Sequence, residues 1–444
     1  MHEATPDRRR PGPVSAPAYP WVVVGLLWFC GFFNYADRQA LSAVYPQLET
    51  EFALTDWDLG VLGSAFMVVY ALASPLTGYT VDFVSRRLLI AAGLGFWSLI
   101  CAATGLARSF VQLVLLRGAE GLGESFYFPA SMSVLADYHG PRTRSRAMSI
   151  HQTSVYLGTA GGWYLGGRLA GAYGWRSPFW VLGLTGTAYA VILGACLIEP
   201  IRPTSEPDRA RPAPEDDAPG GAAPSGSLST KLRRIVSNPA ALMLLAVFIG
   251  ANFVAAAFLA WLPTFIFRYF QRGLSSSSAT STLWPMASLA GALCGGALAD
   301  WAAQRSKAGR ILVQCLGLFL AAPFVWLAAV ATEVGLVQIA LIGAGLCKGI
   351  YDANIFASLY DVIPPGDRGT AAGLMNSVGW TGGFLAPMVV GAVSQWLSLR
   401  TAILATSGVY LLVGFLALVA ARLAQTQAQP HRSKPAPFPD GPDG

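Results

Sequence analysis

GYTVDFVSRR at residues 78–87 and GALADWAAQRSK at residues 296–307 are two versions of one loop, and they decide the fold. Each follows an apolar run and places an aspartate four positions after a glycine, with basic residues behind it. A second set of matches shares a constant offset of 224, relating Tyr127 to Tyr351, Asp137 to Asp361, Arg144 to Arg368 and Gly158 to Gly382. The common order and offset predict an internal duplication.

The composition around these loops is that of a membrane protein. Of the 444 residues, 54% are hydrophobic and 12% are charged, roughly half the charged share of a soluble domain. These values argue against a water-soluble enzyme and against a disordered or nucleic-acid-binding protein. The six cysteines lie singly in apolar runs, and no CxxC, Walker A, GxSxG or HExxH motif occurs. We therefore expect no catalysis, no cofactor and no metal site.

Twelve apolar runs are long enough to cross a bilayer as helices, which takes about 20 residues. They cover residues 21–44, 59–80, 88–107, 110–137, 146–172, 178–198, 239–270, 280–301, 311–331, 334–362, 369–397 and 400–423. We predict an all-α membrane protein whose twelve transmembrane helices form two pseudo-symmetric six-helix bundles, 19–198 and 239–424. The polar, Pro-rich segments predict a cytoplasmic linker at 199–238, disordered over 199–230, and disordered tails at 1–18 and 425–444.

The distribution of Lys and Arg predicts the orientation. With the N-terminus inside, 21 of the 30 basic residues fall in cytoplasmic segments, 6 in outer segments and 3 within helices. This bias follows the positive-inside rule and places both termini in the cytoplasm. We expect a multi-pass protein of a bacterial inner membrane, a monomer in contact with lipid, with a small-molecule substrate and no nucleic-acid partner.

Residues 21–424 resemble the transporters of the major facilitator superfamily. The loop at 78–87 is similar to that superfamily's signature loop between spans two and three, although Val81 and Ser85 depart from the usual pattern. The resemblance implies two parallel six-helix repeats with a substrate site between them.

Two groups within that superfamily are similar to particular stretches. NYADR at 34–38 and the segment 117–124 resemble both the organic anion:cation symporters and the spinster-like group. The stretch 97–110 is spinster-like, whereas 124–130 and 373–387 resemble the anion symporters. The resemblance implies a proton- or sodium-driven symporter that imports a small organic anion, such as a sugar acid or an aromatic acid. The alternatives are a spinster-like exporter of a lysolipid or another amphiphile, and a non-transporting membrane receptor.

Charged residues inside the predicted spans are the candidate functional residues, because a charge at the bilayer centre costs about 2.5–3.5 kcal/mol on insertion scales. Arg38 suits a carboxylate ligand, since its planar fork binds two oxygens at once. We expect Arg38 and Arg117 to face one central cavity; the simpler interpretation of Arg38 is a local ion pair that holds span one against its neighbours. Polar and aromatic candidates for substrate contact, each with packing as the alternative, are Asn34, Tyr35, Tyr127, Gln152, Tyr156, Tyr351, Asn354 and Asn376.

Span four carries the candidate coupling group. Arg117, Glu120 and Glu124 share one helix face at i, i+3 and i+7. Arg117 and Glu120 can pair locally, whereas Glu124 has no partner on its own helix, and burial of a lone carboxylate favours its protonated form. We predict that Glu124 carries the coupling proton, with Asp37 and Glu120 as alternatives. The competing interpretation is a permanent bond from Glu124 to Arg38 or Arg117.

The remaining charges predict gates. Lys348 matches Glu124 by the offset of 224, so it pairs either across the halves with Glu124 or within its own helix with Asp352. The candidate gating residues are Asp82, Arg86, Arg87, Asp300, Arg305, Lys348 and Asp352. His151, the one imidazole inside a span, is either a satisfied packing residue or a proton relay.

Overall fold

The computed structural model of the protein describes residues 18–80, 83–140, 143–199 and 228–427, and regular secondary structure in these ranges is helical. Asp82, most of both predicted tails and most of the predicted linker lie outside the described residues. Helices of the first half are α1 (Tyr19–Ala43), α2 (Tyr45–Phe52), α3 (Asp56–Thr80), α4 (Arg86–Thr104), α5 (Phe110–Glu124), α6 (Tyr127–Tyr138), α7 (Arg144–Tyr173) and α8 (Ser177–Cys196).

The second half begins with a short basic helix and continues with six spans. Its helices are α9 (Leu228–Val236), α10 (Pro239–Phe270), α11 (Leu274–Ser281), α12 (Leu283–Ala303), α13 (Gly309–Val330), α14 (Val334–Asp352), α15 (Ile355–Val362), α16 (Arg368–Trp396) and α17 (Leu399–Gln427). Helix α9 begins within the stretch expected to be disordered. Its Arg234 pairs with Asp367 at 2.9 Å and its Lys231 donates to Gly366 O, which fixes α9 to the turn before α16.

Ten stretches of the described chain are helices long and apolar enough to cross a membrane, by length and composition. The two other spans are α5–α6 and α7. Helix α5 has only 15 residues and includes three charges, and α7 is rich in glycine and polar residues. These two occupy the fourth and fifth positions of the first half, so the described part of the chain forms twelve transmembrane helices in two pseudo-symmetric halves, as predicted.

The fourth span is broken, which differs from the single run predicted at 110–137. Helix α5 ends at Glu124 and α6 begins at Tyr127. Pro129 explains the break, because proline has no N–H to donate to the carbonyl four residues earlier, that of Ser125. The hydroxyl of Thr77 lies 3.0 Å from Ser125 O and satisfies it. The corresponding tenth span is broken between α14 and α15.

Glycines bring α7 and α1 into close contact within the first half. A Cβ added at Gly158 would lie 2.7 Å from Phe32 O, and one at Gly162 would meet the backbone of Ala36. Gly382 of α16 approaches α10 in the same way, at Ile249. These glycines therefore serve close packing inside each half.

Candidate functional site

A central cavity of about 180 Å³ lies between the two halves. Its lining side chains include Tyr35, Arg38, Gln39 and Met67 from the first half and Phe248, Asn252, Leu259, Asn376 and Trp380 from the second. Among the described residues that line it, Arg38 alone is charged. The predicted substrate residues Arg38, Tyr35 and Asn376 therefore share one cavity, while Gln39 and Asn252 join them without having been predicted.

Arg38 is held on three sides by α1, α3 and α5. Its Nε donates to Glu124 Oε2 at 2.5 Å, and its Nη2 donates to Asn34 Oδ1 at 3.0 Å. The guanidinium lies over the rings of Phe66 and Tyr70, with centroids at 4.4 and 5.1 Å. Such cation–π contacts stabilise a partly desolvated cation. The Arg38 side chain is 11% exposed while that of Glu124 is fully buried, so Arg38 lies between the cavity and Glu124.

Arg117 lies on Phe66 as well, at 5.2 Å from the ring centroid, but deeper in the first half. It pairs with Glu120 on its own helix, and both side chains are buried. Both Arg38 and Arg117 line a smaller cavity of about 40 Å³. Of these two arginines, only Arg38 also lines the central cavity. The two arginines are thus neighbours, with different exposure to the space between the halves.

A buried cluster near Arg117 consists of Asp37, Glu120 and Cys101. Their carboxylate and thiol atoms lie within 4.8 Å of one another. Neither oxygen of Asp37 has a hydrogen-bond partner among the described residues. A buried carboxylate without a partner is unfavourable when charged, so the cluster favours a proton on Asp37 or on Glu120.

Of the two pairings expected for Lys348, the structure has the one within α14. Lys348 pairs with Asp352 within the helix, and Glu124 pairs with Arg38 rather than with Lys348. Tyr156 of α7 donates a hydrogen bond to Asp352 Oδ2 at 3.4 Å, which crosses between the halves.

Four further candidates lie away from the central cavity's lining. Asn354 is buried at the α14–α15 break, where its amide donates to Gly295 O and Ile350 O at 3.2 and 3.0 Å. Tyr351 is buried in the second half, Gln152 is exposed on α7, and Tyr127 lies against α1 with its hydroxyl on Leu27 O.

Matching ion-pair networks lie at the end of the molecule where α1 begins, which we call the terminal end. In the first half Arg86 pairs with Asp137 and with Glu199, the latter at 3.0 Å. Burial opposes the charged form of Glu199, but hydrogen bonds from the backbone N–H groups of Arg87 and Arg86 and from Ser85 outweigh it, so the pKa of Glu199 lies below its usual value.

The second half repeats this network with a residue that sequence reasoning missed. Arg310 pairs with Asp361 at 3.0 Å and with Asp300 at 3.2 Å. Arg310 and Asp361 follow Arg86 and Asp137 by the same offset of 224, so the offset was the available signal. Arg305 lies instead over the ring of Trp301, at 3.8 Å from the centroid.

The other end of the molecule, called the distal end, joins the halves through a second unpredicted cluster. Arg268 of α10 donates to Asp56 Oδ1 of α3 at 2.6 Å and to Glu49 Oε2 of α2 at 2.8 Å. Ser394 of α16 also donates to Asp56. The helices are also closely packed near this cluster: a Cβ added at Gly63 of α3 would lie 3.2 Å from the Cβ of Pro387 in α16. The distal end is therefore closed by charged and packed contacts between the halves.

The arrangement of two six-helix halves is shared with known proteins. A family model described as the Major Facilitator Superfamily matches residues 27–345 and 301–441. The chain belongs to this superfamily. It is accordingly a multi-pass integral membrane protein of a transporter family, with a small-molecule substrate.

Relatives in this superfamily carry two kinds of name. The hexuronate transporter of Bacillus subtilis (strain 168) is 26% identical, over 93% of this chain and 96% of the relative. The probable L-galactonate transporter of Escherichia coli (strain K12) is 25% identical, over 83% and 82%. Human protein spinster homolog 1 is 27% identical over 57% of this chain, which spans about half of that relative, 46%.

A solved structure supports the fold. The bacterial homolog of the human lysosomal transporter spinster, in an inward-facing and unoccupied conformation, superimposes with a TM-score of 0.82. The match covers 94% of this chain and 100% of that one at 20% sequence identity. The superfamily's two-halved architecture is thus shared, at a sequence distance where only the fold is comparable.

Proposed function

We propose that the protein is a secondary transporter that imports a small organic anion together with protons. The observation that carries the proposal is Arg38, a cation partly exposed in the cavity between the halves and bound from behind by the buried Glu124. A planar guanidinium binds a carboxylate through two parallel hydrogen bonds. An anion in the cavity would therefore compete with Glu124 for Arg38.

This competition links the proton to the substrate. When Glu124 accepts a proton, its attraction for Arg38 falls and the guanidinium becomes available to the anion. Anion binding in turn favours the protonated carboxyl, because coupling between two sites is reciprocal. Asp37 is the second candidate carrier, since its buried carboxylate lacks a hydrogen-bond partner among the described residues.

The substrate class follows from the cavity wall and the relatives. Gln39, Asn252 and Asn376 offer amides that suit hydroxyl groups, and Arg38 suits one carboxylate. Names of relatives include hexuronate and L-galactonate transporters. We infer a hydroxylated monocarboxylate of sugar-acid size. The apolar part of the wall, with Phe248 and Trp380, favours an amphiphile such as a lysolipid as the second candidate.

We further propose that both termini and the linker 199–238 face the cytoplasm of a bacterial inner membrane. The excess of Lys and Arg at the terminal end supports this orientation. The closed distal end then faces outward, so the described arrangement is inward-facing. Accessibility of a cysteine introduced in the linker to a membrane-impermeant reagent, in intact cells and in inverted vesicles, tests the orientation.

Two measurements test the function. A thermal-shift screen of sugar acids, aromatic acids and lysolipids on the purified protein identifies the substrate class. Reconstituted vesicles then compare exchange with gradient-driven accumulation for the wild type and for Glu124→Gln, which mimics a permanently protonated carboxyl. We expect the variant to exchange substrate and to fail to accumulate it. Accumulation by Glu124→Gln near the wild-type rate would assign coupling to Asp37, tested by Asp37→Asn, or to sodium.

A further inference from the structure

A third, smaller pocket lies beside Glu124 and adjoins the central cavity, because Tyr35 and Arg38 line both. It has a volume of about 20 Å³ and is enclosed by α1, α3, α5, α6 and α7. A single water requires roughly 10–15 Å³ and two to four polar partners. We call this space the Glu124 pocket; its lining includes Gly31, Asn34, Glu124, Tyr127, His151 and Ser154.

Four polar atoms of the lining are buried without a hydrogen-bond partner among the described residues. They are Asn34 Nδ2, Glu124 Oε1, His151 Nδ1 and Ser154 Oγ. Each of these residues is at most 2% exposed. Leaving a buried polar atom without a hydrogen-bond partner is unfavourable, so four such atoms around one small space indicate a polar occupant.

The hydrogen bonds of Tyr127 fix the state of His151. The Tyr127 hydroxyl lies 2.6 Å from Leu27 O and 2.6 Å from His151 Nε2. A carbonyl only accepts, so the single hydroxyl proton is donated to Leu27. His151 Nε2 must then carry the hydrogen of the second contact, and Nδ1 of the neutral ring is left as an acceptor. Arg38, the cation in the lining, also favours a neutral imidazole.

We propose that the Glu124 pocket binds one water molecule, and that this water delivers the coupling proton to Glu124. The water would donate to His151 Nδ1 and Glu124 Oε1 and accept from Asn34 and Ser154. In the transfer, hydronium loses one proton, an O–H bond forms at Glu124 Oε1, and neutral water and a carboxylic acid remain. His151 is a positioning residue that anchors the water. The use of this site in transport rests on the proposed function.

The same lining argues for a proton over a metal cation. Hard cations take about six or more oxygen ligands, whereas Glu124 and Ser154 supply the two unpartnered oxygens among the pocket's described residues. The charged groups that face the space are Glu124 and the guanidinium of Arg38. The other titratable groups that face it are the phenols of Tyr35, Tyr70 and Tyr127.

The test measures proton uptake without any transport substrate. The purified full-length protein in detergent is taken from alkaline to mildly acidic pH in weak buffer, and a pH dye follows proton binding by stopped flow. The kinetic component of proton binding that is absent in Glu124→Gln is assigned to Glu124. We expect His151→Leu to slow that component about tenfold or more, the effect of about one lost hydrogen bond on a rate. His151→Asn keeps an acceptor near Nδ1 and should stay close to wild type.

Gly31 provides a second variant with a matched control. A Cβ at Gly31 would meet Ser154 Oγ and lie 3.0 Å from Tyr127 Oη, so Gly31→Ala puts a methyl group in the pocket and should slow the component. Gly25→Ala adds the same methyl group on the same helix, where nothing lies within 4 Å, and should not slow the component.

Three outcomes would each overturn the proposal. They are unchanged uptake in both His151→Leu and Gly31→Ala, equal slowing in His151→Asn and His151→Leu, and no component lost in Glu124→Gln. If the variants behave as expected while no organic anion is transported, the proposed function fails and the water site stands.

Discussion

The proposed function gives Arg38 two ligands in turn, Glu124 and the substrate anion. In the described state its Nε is bound to Glu124 and its face lies on Phe66 and Tyr70, so the planar group is already oriented. An oriented fork loses little further freedom when an anion binds, and much of the affinity comes from this preorganisation. Its geometry therefore matters beyond its charge.

The variant Arg38→Lys separates geometry from charge. Lysine keeps the positive charge near Glu124, so the bundle stays neutralised, but it offers a point charge in place of two parallel donors. We expect expression near wild type and anion affinity weaker by about tenfold or more, measured by thermal shift and by calorimetry. Arg272→Lys, the same change at an exposed distal-end position, is the control. Normal affinity in Arg38→Lys would make Arg38 a structural residue.

The candidate residues were predictable where chemistry alone selects them. Buried charges stand out in an apolar sequence, so Arg38, Arg117 and Glu124 were identified from composition and spacing. The sequence left two possible partners for Glu124, Arg38 and Arg117, and only the folded bundle selects Arg38, which lies 86 positions away. Asn252, an ordinary polar residue in a long apolar helix, carries no comparable signal.

At the scale of helices, breaks were harder to predict than spans. Apolar runs locate each crossing, but continuity depends on individual carbonyl groups. Pro129 removes the hydrogen bond to Ser125 O and thereby marks the break between α5 and α6. The hydroxyl that replaces the bond comes from Thr77, on another helix, and also lies 3.0 Å from Ser74 O. The sequence shows Pro129, but it does not show that Thr77 supplies the replacement hydrogen bond.

This compensation can be measured at Thr77. The isosteric Thr77→Val keeps the shape and leaves Ser125 O unpaired in a buried site, which should lower the free energy of unfolding by about 1–3 kcal/mol. Thr77→Ser keeps the hydroxyl and should retain most of the stability. Thermal unfolding of the three proteins in one detergent provides the comparison. Equal melting temperatures for Thr77→Val and wild type would mean that the carbonyl finds another partner.

At the scale of the whole molecule, the duplication explains the pairing of networks at the terminal end. Arg86 with Asp137 and Arg310 with Asp361 are the same ion pair in the two halves, each internal to its half. Contacts between halves are different in kind, because they must break during transport. One sequence encodes both the closed and the open arrangement, so the pattern of residues alone could not indicate which end is closed. Only the assembled structure brings Arg268 to Asp56.

The distal cluster should set the balance between the two arrangements. Asp56→Asn removes the charge that Arg268 binds and turns one acceptor into an NH2 group facing Arg268 and Ser394. Loss of a charged hydrogen bond, about 1.5–3 kcal/mol, should move the equilibrium toward distal opening by about 10- to 150-fold.

Spin labels at Arg108→Cys and Glu333→Cys, with the exposed Cys196 and Cys294 replaced by serine, report the distal separation by pulsed electron resonance. Asp58→Asn is the matched control, because Asp58 lies two residues away on α3 and binds Thr55 of its own half at 2.7 Å. We expect a longer, broader distance distribution for Asp56→Asn and an unchanged one for Asp58→Asn; identical distributions would show that packing at Gly63 and Pro387, and not the ion pair, keeps the distal end closed.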